Sequence, residues 1–367
     1  MKSQLFIKIY KNFAKPIFFK FNPEFVHYRM VDNGKLLGHF AIARALTKFF
    51  FNYQNPLLEQ TVYGIKFANP VGLSAGFDKD AELINILPSV GFGFQSVGSI
   101  TAKPYEGNPK PWLYRLKKTQ SIVVNFGLKN VGVDEIIKRI RNSIKQYPLM
   151  ISVAKTNSPT TTDTVNGITD YVETLSKLEQ NQIGDIYEIN ISCPNAFGGE
   201  SFTTPELLEP LLARISSLKL SKPIFIKMPI NLPFEDFKKL LDIILKYQMS
   251  GVIIGNLNKD RARPEIKDKI PEGLKGNLSG KPTFELSNNL ISETYNYCGD
   301  KLKIIGVGGI FSAADAYEKI KRGASLVQLI TGMIFEGPAL IGNINEELVE
   351  LLKKDRFTNI SQAIGTN

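Results

Sequence analysis

Apolar and polar positions follow two different rhythms along this chain. Residues 5–21 read LFIKIYKNFAKPIFFKF and put Leu5, Ile9 and Phe13 on one helical face. Phe6, Tyr10 and Ile17 lie beside that face, and Lys8, Lys11 and Lys15 lie off it. Asn22-Pro23-Glu24 then reads as N-cap, first helical residue and acidic first turn. A second helix is predicted through Phe25, Val26 and Met30, and a third over 36–51. From about residue 62 the rhythm becomes short, nearly continuous apolar runs separated by helical stretches. Eight runs stand out: 71–75, 93–99, 151–155, 187–192, 224–228, 251–255, 304–308 and 326–330. Runs of this kind are expected of parallel strands buried on both faces. Helices are predicted between them, for example at 133–146, 235–247 and 313–322. Eight β/α units predict an α/β fold, a closed (β/α)8 TIM barrel over 61–367 behind an N-terminal helical extension, 1–60. A doubly wound open sheet is the alternative, but no G-x-G-x-x-G follows the first strand. Two connections are long, 100–150 and 256–303. As loops after strand C-termini, they are predicted to cover a site.

Composition narrows the function classes. The chain has 367 residues, 43% hydrophobic and 22% charged, which suits a packed core rather than disorder. Two cysteines, Cys193 and Cys298, exclude a disulfide framework and suggest a reducing compartment. No apolar run approaches membrane-spanning length, and Lys8, Lys11 and Lys15 interrupt any signal-peptide core. The two histidines, His27 and His39, lie in the first 40 residues. Chemistry later in the chain therefore has no histidine base, Ser-His triad or histidine metal ligand, and no metal site is expected. The net charge of +10 is concentrated in residues 1–60, which hold nine basic residues, three acidic ones and ten of the 24 Phe. Such a segment suits an anionic lipid surface better than a nucleic-acid groove.

Polar groups gather where the predicted strands end. Strand 7 ends in Gly306-Val307-Gly308-Gly309 and strand 8 in Thr331-Gly332. Loops at these ordinal positions form the recurrent barrel phosphate site, so phosphate binding is favoured over simple tight turns. Lys79, after strand 1, either pairs with an anionic ligand or reduced cofactor ring, or caps the following helix. Asn190 to Asn195 follow strand 4 and include Cys193, either a base or nucleophile with an ordinary pKa of about 8.5, or an inert buried thiol. The asparagines there suit a polar planar ligand. Lys227 inside strand 5 requires a partner and suits negative charge on a cofactor. Asn256 ends strand 6, and Leu278-Ser279-Gly280-Lys281-Pro282 lies in the long loop beyond it. A phosphate-bearing organic cofactor beside a weak base fits this set better than hydrolysis does.

The motifs N-P-V-G-L-S-A-G-F-D-K (69–79), G-F-G-F (91–94), V-G-S-I-T (97–101), N-I-S-C-P-N (190–195), L-S-G-K-P (278–282) and I-I-G-V-G-G-I (304–310), in this order, resemble dihydroorotate dehydrogenase. The likeness runs from about residue 16 to the end. N-P-E-F-V-H (22–27) and A-I-G (363–365) look like its membrane-associated, quinone-dependent class 2 branch. The resemblance implies FMN-dependent oxidation of (S)-dihydroorotate to orotate in pyrimidine biosynthesis, with a base removing the C5 proton and hydride passing from C6 to flavin N5. It implies quinone as acceptor and a peripheral place on the cytoplasmic side of the cell membrane. By motif, Cys193 is the base. Lys79, Asn125, Phe126, Gly127, Leu128, Asn190, Asn195 and Asn256 would hold substrate. FMN would be held by Ala75, Gly76, Ser99, Ser152, Asn190, Lys227, Gly255, Ser279, Gly280, Gly308, Gly309, Ile330, Thr331 and Gly332. His27 and Arg115 match quinone-site positions. The chain departs from class 2 in having Cys193 where Ser is usual, as in class 1, and in the V-V-N-F-G-L-K-N segment at 123–130. It also has Ser152, Gly255 and Ile330 where the pattern has Asn, Thr and Tyr. Alternative readings are the same oxidation with fumarate or NAD as acceptor, an FMN barrel acting on uridine in RNA, or a membrane-bound barrel without catalysis.

Overall fold

The computed structural model describes residues 2–367. Eight parallel strands close into a barrel in chain order: β1 (Val71–Leu73), β2 (Phe94–Ile100), β3 (Leu149–Val153), β4 (Ile186–Asn190), β5 (Ile224–Met228), β6 (Gly251–Ile254), β7 (Lys303–Val307) and β8 (Leu326–Leu329). Each coincides with a predicted run to within two residues at its ends. Neighbours align around the ring, for example Asn190 beside Lys227 and Leu329 beside Leu73, with one register shift between Val97 and Ile100 where β2 pairs with β3.

The barrel interior is layered. Its lower level is apolar, with Phe94, Met150, Ile186, Phe225, Ile253, Ile305 and Leu326 all buried. A hairpin absent from the predicted elements, Gln60–Val62 with Ile65–Phe67, plugs the floor by inserting Val62 and Phe67. Gly72 on β1 makes room for this layer, because a Cβ there would lie 2.4 Å from the Phe94 ring. Each such buried side chain stabilises the fold by roughly 1.5–3 kcal/mol. Above the apolar layer, Ser96, Ser152, Glu188, Lys227 and Gln328 form a buried polar one, linked by contacts such as Gln328 to Ser96 at 2.8 Å.

Outside the barrel, helices Phe234–Lys246 and Ala313–Lys321 match their predicted spans. The helix from Val133 stops early, at Arg141, because the Ser143 N–H and hydroxyl turn back onto the Ile140 carbonyl. The two long connections also acquire structure. Leu113–Leu116 and Ser121–Val124 form an antiparallel hairpin, and Asn277–Leu278 adds a third strand to it. This small sheet stands over the strand C-termini.

The N-terminal segment is helical. α1 (Lys2–Ile9) runs through a π-helical turn (Tyr10–Ala14) into α2 (Lys15–Phe18), followed by α3 (Pro23–His39) and α4 (Ala41–Phe51). Asn22 caps α3 as expected, accepting from the Glu24 and Phe25 amides at 2.8 and 3.2 Å. The predicted boundary near residue 36 is corrected: α3 continues to His39 and breaks at extended Phe40. Gly34 and Gly38 lie inside α3 because they pack closely on the barrel. Cβ atoms there would meet Leu83 Cδ2 at 2.6 Å and Asn85 Cβ at 3.1 Å. The segment is tied to the barrel by the Tyr10 hydroxyl donating to the Ile334 carbonyl at 2.8 Å, the Phe19–Phe335 contact, and buried Glu24 accepting from Trp112 N–H. No helix among the described residues is long and apolar enough to cross a membrane.

Candidate active site

Two adjoining cavities open at the C-terminal mouth of the barrel. They share Ala75, Lys227, Asn256, Leu257, Ser279, Ile330 and Thr331. The first also takes Lys79, Asn190, Cys193 and Asn195 from strand ends, Phe126, Gly127 and Leu128 from the first insertion, and His27 from α3. Gly76 and Ser99 complete its inner wall, and Leu113, Ile122, Val124 and Ile334 make its outer wall apolar. The second is lined by Gly255, Gly280, Gly308, Gly309 and Gly332.

Two lysines set the electrostatics of the first cavity. Lys79 Nζ lies 3.7 Å from the centre of the Phe126 ring and 3.4 Å from His27 Nε2. Burial pushes the Lys79 ammonium down to about 8, opposed by Asp80 and Asp78. Burial, with Lys79 alongside, also holds His27 well below the usual histidine range, so the imidazole is neutral. Lys227 is buried and sits 3.3 Å from Glu188 Oε1, which also accepts from Ser152 Oγ at 2.9 Å. Ser152 meets Ser99 Oγ at 2.7 Å, and Asn190 Nδ2 donates to Ser99 Oγ at 2.8 Å. One chain of contacts thus connects the buried ion pair to the cavity wall.

Cys193 lines the first cavity as a free thiol. The expectation of an ordinary thiol is corrected: burial pushes it up to about 11, against lowering by the Asn195 amide and Lys227. The group is therefore a protonated thiol at neutral pH and a strong base once deprotonated. Its neighbours are fixed by further contacts. Asn256 Nδ2 donates to Ser192 O at 2.9 Å and Ser192 Oγ at 2.7 Å, and Asn195 Nδ2 donates to Val124 O at 2.8 Å.

The second cavity is a backbone cradle. Gly308 and Gly309 have φ of +108° and +71°, and a Cβ on Gly308 would meet Thr283 Oγ1 at 2.6 Å. The N–H groups of Gly309, Thr331 and Gly332 have no partner among the described residues, while that of Gly308 follows the β7–β8 ladder beside Gln328. Buried amides are rarely left unpaired, so a cradle of free donors suits an anionic group such as a phosphate.

Three expected residues do not line either cavity. Asn125 turns its amide to Asn108 and the Pro109 carbonyl, and Val124 lines the wall instead. Ser152 acts from beneath, through Ser99. Arg115 donates to the Phe21 carbonyl at 2.9 Å and packs over the Phe19 ring, so it anchors the helical segment. Sequence reasoning also missed contributors. Glu188 could have been found, since it shares the inward face of β4 with Asn190 by period two. Asn108 bonds the Asn195 carbonyl and Asn125 from a loop with no local signal, and Ser74 and Thr283 complete the cradle wall.

Comparison with known proteins bears on this arrangement. Residues 57–352 match the family model described as "Dihydroorotate dehydrogenase". The chain is similar to a protein of Christiangramia forsetii named "Dihydroorotate dehydrogenase (quinone)", 36% identical with 93% of this chain and 99% of the relative covered. A protein of the same name from Sulfurimonas denitrificans is also 36% identical, covering 96% and 97%. Among solved structures, that of DHODH from Eimeria tenella with ferulenol superposes with a TM-score of 0.84 at 27% identity, covering 94% of this chain and 95% of that one.

Proposed function

The chain belongs to the dihydroorotate dehydrogenase family, class 2 branch, and from that premise we propose that it oxidises (S)-dihydroorotate to orotate in pyrimidine biosynthesis, with FMN as resident cofactor and a membrane quinone as acceptor. The observation that carries this reading is the meeting of Lys79, Cys193 and Lys227 in a cavity continuous with the glycine cradle. The residues present fit FMN. Gly309, Thr331 and Gly332 offer unpaired amides to its phosphate beside Gly308, Ala75, Gly76, Ser99 and Asn190 line the first cavity, and Lys227 would supply charge where reduction makes the ring system negative. Bound there, FMN supplies two-electron acceptance and delivery to quinone.

The chain's own residues do the rest. Lys79 binds the substrate carboxylate through a charge-assisted hydrogen bond. Asn190, Asn195 and Asn256 present amides to the polar edge of the ring, with Ser192 fixing Asn256. Cys193 Sγ, once deprotonated, takes the C5 proton as the two electrons leave at C6. Phe126, Gly127 and Leu128 close the substrate from water. The apolar wall of Leu113, Ile122, Val124 and Ile334 faces the helical segment, from which His27 on α3 reaches to Lys79. This is the approach we assign to quinone.

The helical extension (1–60) serves the acceptor and the barrel (61–367) the substrate. Leu5, Phe13, Ile17, Phe40, Ile42 and Leu46 expose half or more of their surface along α1–α4, with Lys8, Lys20 and Lys48 interspersed. An exposed apolar face with a basic fringe suits an anionic lipid surface and peripheral attachment to the membrane that holds the quinone. The deciding experiment takes full-length protein with bound flavin and adds dihydroorotate without oxygen. Bleaching of the flavin, followed by reoxidation by quinone but not by fumarate or NAD, is expected. Failure to bleach would remove the substrate assignment, and faster reoxidation by fumarate or NAD would remove the acceptor.

A further inference from the structure

Behind the glycine cradle lies a lysine outside the set that lines the site. Lys319, on helix Ala313–Lys321, is fully buried. Its Nζ donates to Ser287 Oγ and to Asn288 Oδ1, and lies 4.9 Å from the centre of the Phe284 ring. These partners are all neutral. Charged groups stand nearby but are engaged elsewhere or make no bond to the ammonium. Asp315 accepts from Phe311 N–H and lies 3.4 Å from Lys281. Glu318 pairs with Arg322, and Glu285 acts only at longer range. A buried cation without a carboxylate is costly, so a compensating charge is to be looked for. The cradle is where it would arrive. Ser287 Oγ lies 3.4 Å from where a Cβ on Gly308 would sit, and Lys319 Cδ lies 3.2 Å from the corresponding point on Gly306. The ammonium is thus one hydroxyl behind the Gly308 backbone of the cradle.

We propose that Lys319 is a buried counter-charge for the FMN phosphate, a positioning residue that acts through Ser287 and the Gly308–Gly309 loop without touching the ligand. The proposal rests on the FMN reading above. Burial pushes the Lys319 ammonium down to about 7. A phosphate dianion bound in the cradle favours the charged form and draws in a proton.

The test compares FMN with riboflavin, which lacks the phosphate, on the full-length chain freed of flavin. Lys319→Met should weaken FMN binding by at least about tenfold, the scale of a charge pair near 10 Å in protein, while riboflavin affinity stays unchanged. Equal losses for both flavins would show a merely structural role, and no loss for either would also overturn the proposal. The wild-type chain gives a second measurement that does not depend on a variant folding. Calorimetry at about pH 8 in buffers of differing ionisation enthalpy should show proton uptake with FMN and not with riboflavin. Identical proton counts for the two ligands would overturn it. If neither flavin binds the wild-type chain, the cofactor reading itself fails, a result distinct from the others.

Discussion

Replacing Cys193 tests the chemistry most directly. Burial places its thiol at about 11, so at pH 7 only about one molecule in 10⁴ carries the thiolate. Proton abstraction at saturating dihydroorotate should therefore accelerate about tenfold per pH unit from acid to well above neutrality, with no plateau near the ordinary thiol range. Saturation matters because Lys79 titrates at about 8 and affects binding. Cys193→Ala removes the base and should slow flavin bleaching by about 10²- to 10⁴-fold, the usual worth of a general base. Cys193→Ser keeps a proton acceptor of much higher pKa. Its anion is rarer but more basic, and a Brønsted coefficient of about one half leaves a net loss of roughly 10²- to 10³-fold. The assay is anaerobic stopped-flow bleaching of the bound flavin across the pH range, with flavin content checked to confirm that the cofactor stays bound. A rate for Cys193→Ala within about threefold of wild type, or a flat wild-type profile through neutrality, would refute the base assignment.

Other expectations follow from the same geometry. Lys79 binds substrate as an ammonium, so KM for dihydroorotate should be flat below about pH 7 and rise above about pH 8. Lys79→Gln should raise KM by about 10- to 100-fold and abolish that pH dependence, and a wild-type KM that stays constant past pH 9 would contradict it. Glu188→Gln strips the buried Lys227 of its counterion, which typically costs about 3–5 kcal/mol. Thermal denaturation should show a marked drop in Tm, and an unchanged Tm would mean the pair is not ionised. Deleting residues 1–51 should abolish sedimentation with anionic vesicles and quinone reduction while leaving flavin bleaching by dihydroorotate intact. Vesicle binding that survives the deletion would place the lipid-facing surface elsewhere.

Much of the barrel was legible in the chain because its signal is local. A strand buried on both faces must be apolar along its length, and eight such runs at suitable spacing admit few architectures. Residues anchored at strand ends were legible for the same reason: the position of Lys79, Asn190, Lys227 or Gly308 follows once the strand is placed. Asn22 likewise carried its own capping signal. Features that depend on approach between distant segments were not legible. Asn125 and Val124 are neighbours on one hairpin, and only the pairing of that hairpin with Asn277–Leu278 decides which of them faces the cavity. Gly34 and Gly38 stay helical because Leu83 and Asn85 press against them.

The ionisation of the site belongs to the same second category. The sequence alone determined the barrel, the order of its polar strand ends and the absence of any histidine base within it. The tertiary structure decided that the thiol of Cys193 is pushed far above its ordinary range, that Lys79 is pulled down beside a neutral His27, and that Lys319 stands behind the cradle. Residue type sets only the intrinsic proton affinity. Desolvation and neighbouring charge, which shift it, exist only once the chain has brought those groups together.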